Sequence, residues 1–317
     1  MMAIRGAVLT GILALAVAVA WAQDPLAVLT EIQVKKGKVE VRPSTQADWQ
    51  TPKPLLSLRP GTQVRVVGEG RAVLVFTGGR GTQIVTAANS PFTVATGESQ
   101  GTTDRARAVL GSVTSFLLGQ QREKTYQSLS VRSVQAQPPI ILAPRETRVL
   151  PGAIAFEWAG SDRLKYQVRL LEPQGAVVWE RADVGRRPLA YPASAPKLQP
   201  DTRYTWELST LEHGVQKASF DVTSTADATR VTEALGVLTP DGVDGYPPAT
   251  LALMRAGLLF QERLYADARR ELVAAIAAAP EEATLHLLLG HLYDRTGLKR
   301  LAAEEFDEAE ALTAPRP

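Results

Sequence analysis

The sequence repeats itself near its C-terminal end. A shift of 34 residues aligns Ala256 with Gly290, Leu259 with Tyr293, Ala268 with Ala302, Leu272 with Phe306 and Ala275 with Ala309. The pattern runs small, large, small, large, small. Small residues let paired helices approach closely and large ones fill the space beside them, so the period predicts stacked helical hairpins. Leu289, Gly297 in the turn and Pro280 at the end of the first unit fit the same scheme, while Arg263 stands where the first turn would take glycine. Two such units bury their apolar faces only against neighbours, and about three are usually needed. The run Ala226 to Leu238 predicts an extra packing helix, with Val231, Leu235 and Leu238 on one side and Pro240-Asp241-Gly242 ending it. Docking on the β-sandwich expected at 140–223, or on a partner, is the other solution.

This period and pattern resemble the tetratricopeptide repeat family, over 226–313. The resemblance implies binding of peptides or protein segments along a concave surface lined by the first helix of each pair. Carried over position by position, it picks out Leu253, Gly257 and Phe260 in the first unit and Leu287, His291 and Asp294 in the second. Phe260 would be the apolar anchor, with His291 and Asp294 orienting polar atoms. The competing occupant is the chain's own linker or its end, Ala314-Pro315-Arg316-Pro317.

The opposite end reads as an export signal over residues 1–22. Arg5 precedes the apolar run Ala7 to Val19, and Ala20-Trp21-Ala22 supplies the small-x-small cleavage pattern, leaving Gln23 first. The apolar run is shorter than the roughly 20 residues of a spanning helix, and no other segment is long and apolar enough. An exported chain with no membrane span after cleavage is therefore expected. The 317 residues include no cysteine. That excludes a lipoprotein anchor, disulfides, thiolate nucleophiles, iron–sulfur clusters and cysteine-zinc sites. With 35 basic and 33 acidic side chains, the chain lacks the excess of positive charge that a nucleic-acid partner would require.

Between these ends the period is two, in two separate stretches. In the first, Ile32 and Val34, then Val39 and Val41, alternate in short runs broken by Lys35-Lys36-Gly37. Val64 with Val66, and Ala72, Leu74 and Phe76, continue the pattern, which predicts an all-β meander or barrel with Trp49 as a core plug. Thr77-Gly78-Gly79-Arg80-Gly81-Thr82 lacks the Gly-Lys-Ser/Thr and following helix of a phosphate loop, and reads as a hairpin turn. The pattern Gly37-x-Val39-x-Val41, Trp49, Leu58-x-Pro60-Gly61 and Ala72-x-Leu74-x-Phe76 resembles the FecR-like periplasmic β-domain family. The regulatory segment and membrane helix of that family are missing here, so its signalling role is not carried over. Val109, Leu110, Val113, Phe116 and Leu117 form an apolar stripe on a helix starting near Asp104, expected to pack over this domain and completing it as 29–134. Gln135-Ala136-Gln137-Pro138-Pro139 reads as a linker.

The second stretch, 140–223, carries Phe156-Glu157-Trp158, Tyr166-x-Val168-x-Leu170, Val177-x-Trp179 and Phe220-x-Val222, a two-sheet sandwich by its spacing. Leu198-x-Pro200-x-Thr202-x-Tyr204 resembles the fibronectin type III signature. The resemblance implies a corner at Tyr204, whose hydroxyl bonds back to nearby backbone, and a buried Trp158.

The chain is short of chemistry. His286 and His291 lie five apart on one helix and turn away from each other, His213 reads as a turn residue, and no catalytic triad or carboxylate pair assembles. Glu304, Glu305, Asp307 and Glu308 read as a solvated helix face. The expected protein is multidomain, mainly β then α, with no catalytic residue, cofactor or metal. It is expected to be a non-catalytic scaffold for protein partners in the bacterial periplasm or cell envelope. The alternative is a carbohydrate- or cell-wall-binding protein, which would display an exposed aromatic row from Trp49, Trp179 and Trp206.

Overall fold

The computed structural model describes residues 24–95, 104–120, 139–152, 154–185, 188–243 and 245–314. The expected export signal at 1–22, most of the expected linker before Pro139 and the last three residues lie outside them. A β-rich region is followed by a helical region.

The first sheet holds β1 (Ala27–Arg42), β2 (Ser57–Leu58), β3 (Gln63–Phe76), β4 (Thr82–Thr86) and β5 (Phe92–Thr93), in the order β2-β1-β3-β4 with β5 also on β3. Lys35-Lys36-Gly37 does not end a strand, contrary to expectation. β1 and β3 instead form one long antiparallel ribbon with a register shift between Val34 and Lys36. Gly37 and Gly68 face each other there, both at positive φ. A Cβ on Gly37 would lie 2.0 Å from the Val67 carbonyl oxygen, and one on Gly68 would lie 2.3 Å from that of Lys36. These glycines allow a bulge and a close backbone approach, so the ribbon bends without breaking. The glycine-rich turn does join β3 to β4 as a hairpin. Trp49 is not a core plug: it is half-buried at the ribbon's side, with the guanidinium of Arg42 4.4 Å and that of Arg65 4.1 Å from its ring centre.

Helix α1 (Asp104–Gln120) buries Ala106, Leu110, Val113, Thr114 and Leu117. It packs on the β3–β4 turn, where a Cβ on Gly79 would lie 2.6 Å from Arg107 Cα, and also on the helical region. The expected packing over the first β-domain is present, and α1 also covers part of the helical region.

The second β-region comprises β6 (Ile140–Ala143), β7 (Thr147–Val149), β8 (Ala155–Ala159), β9 (Tyr166–Leu171), β10 (Val177–Val184), β11 (Leu189–Ala190), β12 (Arg203–Ser209) and β13 (Gln216–Val222). Its sheets run β10-β9-β12-β13-β7 and β11-β8-β6, with β7 parallel to β13. Phe156, Tyr166, Trp206 and Phe220 fill the space between the sheets. The Gln199 N–H donates to the Tyr204 hydroxyl at 3.0 Å. Trp206 Nε1–H donates to the Pro144 carbonyl at 2.7 Å. Trp206→Phe would keep most of the ring volume but leave that carbonyl unpaired, and is expected to cost about 1–2 kcal/mol in urea unfolding. A loss no larger than experimental scatter would show that the bond contributes nothing.

The helical region starts with α2 (Thr225–Val237), capped by the Ser224 hydroxyl on the Asp227 N–H. Two hairpins follow: α3 (Pro248–Gln261) with α4 (Tyr265–Ala278), and α5 (Ala283–Arg295) with α6 (Lys299–Thr313). The small-on-large rule operates directly, since a Cβ on Gly290 would lie 2.6 Å from the Phe306 ring. The two turns take the same left-handed backbone, Gly297 at φ 79° and Arg263 at φ 61°. The Arg263 carbonyl accepts the Arg148 N–H at 2.8 Å and the Thr147 hydroxyl at 3.0 Å. These bonds seat β7 on the first turn and close the outer edge of its sheet. One buried cluster joins Val28 and Val75 of the first sheet, with Leu55 just before β2, to α1, α2 and the hairpins. The neighbours that two repeat units lack are thus supplied by the chain's own other elements. Among the described residues no helix is long and apolar enough to cross a membrane.

Candidate functional site

The six groove residues do not share one open surface. Leu253 and Phe260 are buried, and Gly257 lies under α1: a Cβ there would meet Val113 Cγ1 at 2.9 Å and Leu117 Cδ2 at 3.2 Å. Phe260 packs edge-on against Phe116 at 5.3 Å and against Tyr265 at 5.2 Å, and the Gln261 amide bonds the Ser112 hydroxyl at 3.0 Å. Among the described residues α1 fills the first unit's face; most of the linker and of the C-terminal segment expected there lie outside them. In the second unit Leu287 is half-buried in the main core, His291 is buried with its ring 5.1 Å from Phe306, and Asp294 pairs with Lys299. His286 bonds Glu305 at 2.7 Å and the Pro280 carbonyl at 3.2 Å, so it and His291 serve separate contacts. Its pKa is raised chiefly by the Glu305 bond. Glu305 is consequently not part of a solvated face.

A polar joint that sequence reading missed lies where β1 crosses the N-termini of α3 and α5. Glu31 Oε1 accepts the Thr250 N–H at 2.8 Å and the Thr250 hydroxyl at 2.6 Å, while Oε2 accepts from Arg71 at 2.8 Å. Glu282 Oε1 accepts the Ile32 N–H at 3.1 Å and the Thr284 N–H at 3.4 Å. Its Oε2 and the Thr284 hydroxyl have no hydrogen-bond partner. Burial, with the Glu31 charge second, pushes the Glu282 carboxyl up to about 8. The positive end of α5 favours the charged form by at most about 2 kcal/mol. Burying an unpaired carboxylate costs several. The neutral form wins at pH 7. The one sequence hint is Glu31 itself, set inside the run Ala27–Ile32, all six of whose residues are buried and which leaves it no exposed face.

The second missed feature is a cleft of about 440 Å³ between α2, the first hairpin and the β7–β8 connection. Leu150, Leu235, Leu259 and Ala274 give it apolar walls, and Asp267, Arg270 and Glu271 supply its charge. Asp267 pairs with Arg270, yet burial raises its pKa. A separate cavity of about 30 Å³ shares Leu150, Asp267 and Arg270 with it and is also lined by Ile154 and Glu157, room for one or two waters. Glu157 and Arg269 form a largely buried ion pair that ties the second β-region to α4. No single stretch of sequence marks this cleft, because its walls come from four elements.

The aromatic row of the carbohydrate reading is not formed by the three expected tryptophans. Trp206 is fully buried, and Trp179 stacks on Phe156 at 5.7 Å with Tyr191 against it. Trp49 lies under Arg42 and Arg65. Among the described residues no group of three or more histidine, aspartate or glutamate side chains is arranged to hold a metal. No protein-family model matches the chain, and a search of curated proteins returns no match.

Proposed function

We propose that this is a non-catalytic, exported scaffold that holds protein partners in the bacterial periplasm or cell envelope. In this reading it is built from a FecR-like β-domain, a fibronectin type III-like sandwich and two tetratricopeptide-like hairpins. The observation that carries it is the cleft between α2, α4 and Leu150, which lies where interdomain binding sites commonly form and has the apolar walls and few charged groups that seat a side-chain anchor. The repeat face lined by Leu253, Gly257 and Phe260 is covered by α1. The partner therefore takes the cleft, an apolar side chain against Leu235 and Leu259 and polar atoms toward Asp267 and Arg270.

Ala274 is exposed on α4, so Ala274→Arg should fill the cleft without disturbing the core. Crosslinking capture from envelope extract, with partners identified by mass spectrometry, is expected to recover a defined protein with the natural chain and at least about tenfold less with the variant, a loss of about 1.4 kcal/mol. Leu211→Ser, at a fully exposed hairpin tip, should capture it undiminished. Equal capture by Ala274→Arg at unchanged melting temperature would overturn the cleft assignment, and recovery of glycan alone would overturn the scaffold reading.

A further inference from the structure

The first sheet and the helical hairpins are joined through two buried carboxyl groups and a contact of 3.2 Å between the Thr30 and Thr250 hydroxyls. Thr250 reaches Glu31 by its N–H and its hydroxyl, and the Ile32 N–H reaches Glu282. Both carboxyls are inaccessible, Glu31 at 0% and Glu282 at 1% exposure. Their charges are treated differently. Arg71 on β3 neutralises Glu31 at 2.8 Å, whereas Glu282 faces two N–H donors and no cation; the nearby Thr284 hydroxyl favours its charged form only weakly and makes no well-aligned bond to Oε2. A buried carboxylate in that setting, next to a second one, is far less stable than the acid.

We propose that this joint is a proton-held lock: it stays closed while Glu282 carries its proton, and loss of that proton loosens the helical hairpins from β1. The facing groups are few. β1 contributes Glu31, β3 contributes Arg71 through Glu31, and α3 contributes only the Thr250 hydroxyl and its N-terminal amide. On α5 and α6 the titratable pair is His286 with Glu305, one turn beyond Glu282. This lock would regulate how the partner-binding region sits on the first sheet, but its test does not depend on the proposed function.

The sign follows from linkage. Glu282 titrates near 8 in the closed joint and near its ordinary 4.5 once exposed. Opening therefore rises about tenfold per pH unit between those values and levels off above the higher one. The raised pKa of His286 acts in the same direction from its ordinary 6.5 upward, so a variant must separate the two. The experiment follows hydrogen exchange of the full chain from pH 5 to 9, as protection factors that divide out intrinsic base catalysis. The amides of Ile32, Thr250 and Thr284 are expected to lose protection about tenfold per unit up to about pH 8. Those of Leu170, Trp206 and Phe220 in the sandwich should not follow. Glu282→Gln should flatten the slope while His286 is untouched. A flat natural profile, an unchanged slope in Glu282→Gln, or the same slope at the sandwich amides would each overturn the lock. If Glu282→Gln does not fold, His286→Gln separates the two from the other side: an unchanged slope at the joint amides supports Glu282, and a flattened one overturns the lock.

Discussion

Val113→Asp is expected to detach α1 from the first repeat hairpin and lower stability by about 4 kcal/mol. Val113 is fully buried, and its Cγ1 would lie 2.9 Å from a Cβ on Gly257. The substitution removes an apolar side chain worth about 1.5–3 kcal/mol of burial and puts a carboxylate with no cation in its place, which costs several more unless it is protonated or expelled. Expulsion is the cheaper response, because α1 meets α3 along one stripe through Val113, Phe116 and Leu117. Urea unfolding should show the lost stability, and dye binding should report newly exposed apolar surface around Leu253 and Phe260. A variant as stable as the natural chain would mean that α1 does not rest on α3. If the hairpins remain folded with α1 released, the concave face becomes available, and a partner captured only by this variant would identify α1 as the element that covers it.

Much of this architecture was legible in local periodicity. The 34-residue offset placed both helical hairpins, because small-on-large packing such as Gly290 against Phe306 must recur at every repeat. Val231 likewise marked the buried side of α2, and Leu238 the buried residue that caps its C-terminus. Alternation placed the strands on which Phe156 and Trp158 face inward. It misplaced a strand end at Gly37 because a glycine serving a bulge and a glycine serving a turn look alike until the opposing Gly68 is known. Trp49 misled for a related reason: a large aromatic ring can be covered by two arginine side chains instead of a core. The groove residues were assigned to helices that exist, but what covers them is a tertiary fact. Leu110 and Val113 announced a helix with a buried stripe, for which sequence reading named the first β-domain and missed α3. Glu31 and Glu282, 251 positions apart, acquire meaning only when β1 crosses α5.

That crossing also sets the second large effect. Arg71→Met is expected to destabilise the chain by about 3 kcal/mol, toward the low end of the 3–5 kcal/mol for breaking a buried ion pair. The discount reflects the Arg71 side chain, which is 35% exposed, so the pair is partly screened by solvent although Glu31 is not accessible at all. Glu31 would keep its two bonds from Thr250 and lose its only cation, leaving a buried negative charge beside Glu282. Adding Glu31→Gln removes that charge while keeping an oxygen for the Thr250 N–H, so the double variant should recover most of the loss. A double-mutant cycle in urea is therefore expected to give a coupling of about 2 kcal/mol, within the range for contacting charged groups. Strict additivity would show that Arg71 and Glu31 act independently and that the ion pair adds nothing to the joint. Coupling of the expected size would make Arg71 the positioning residue of the joint, the cation that lets one of its two carboxyls stay charged while the other holds its proton.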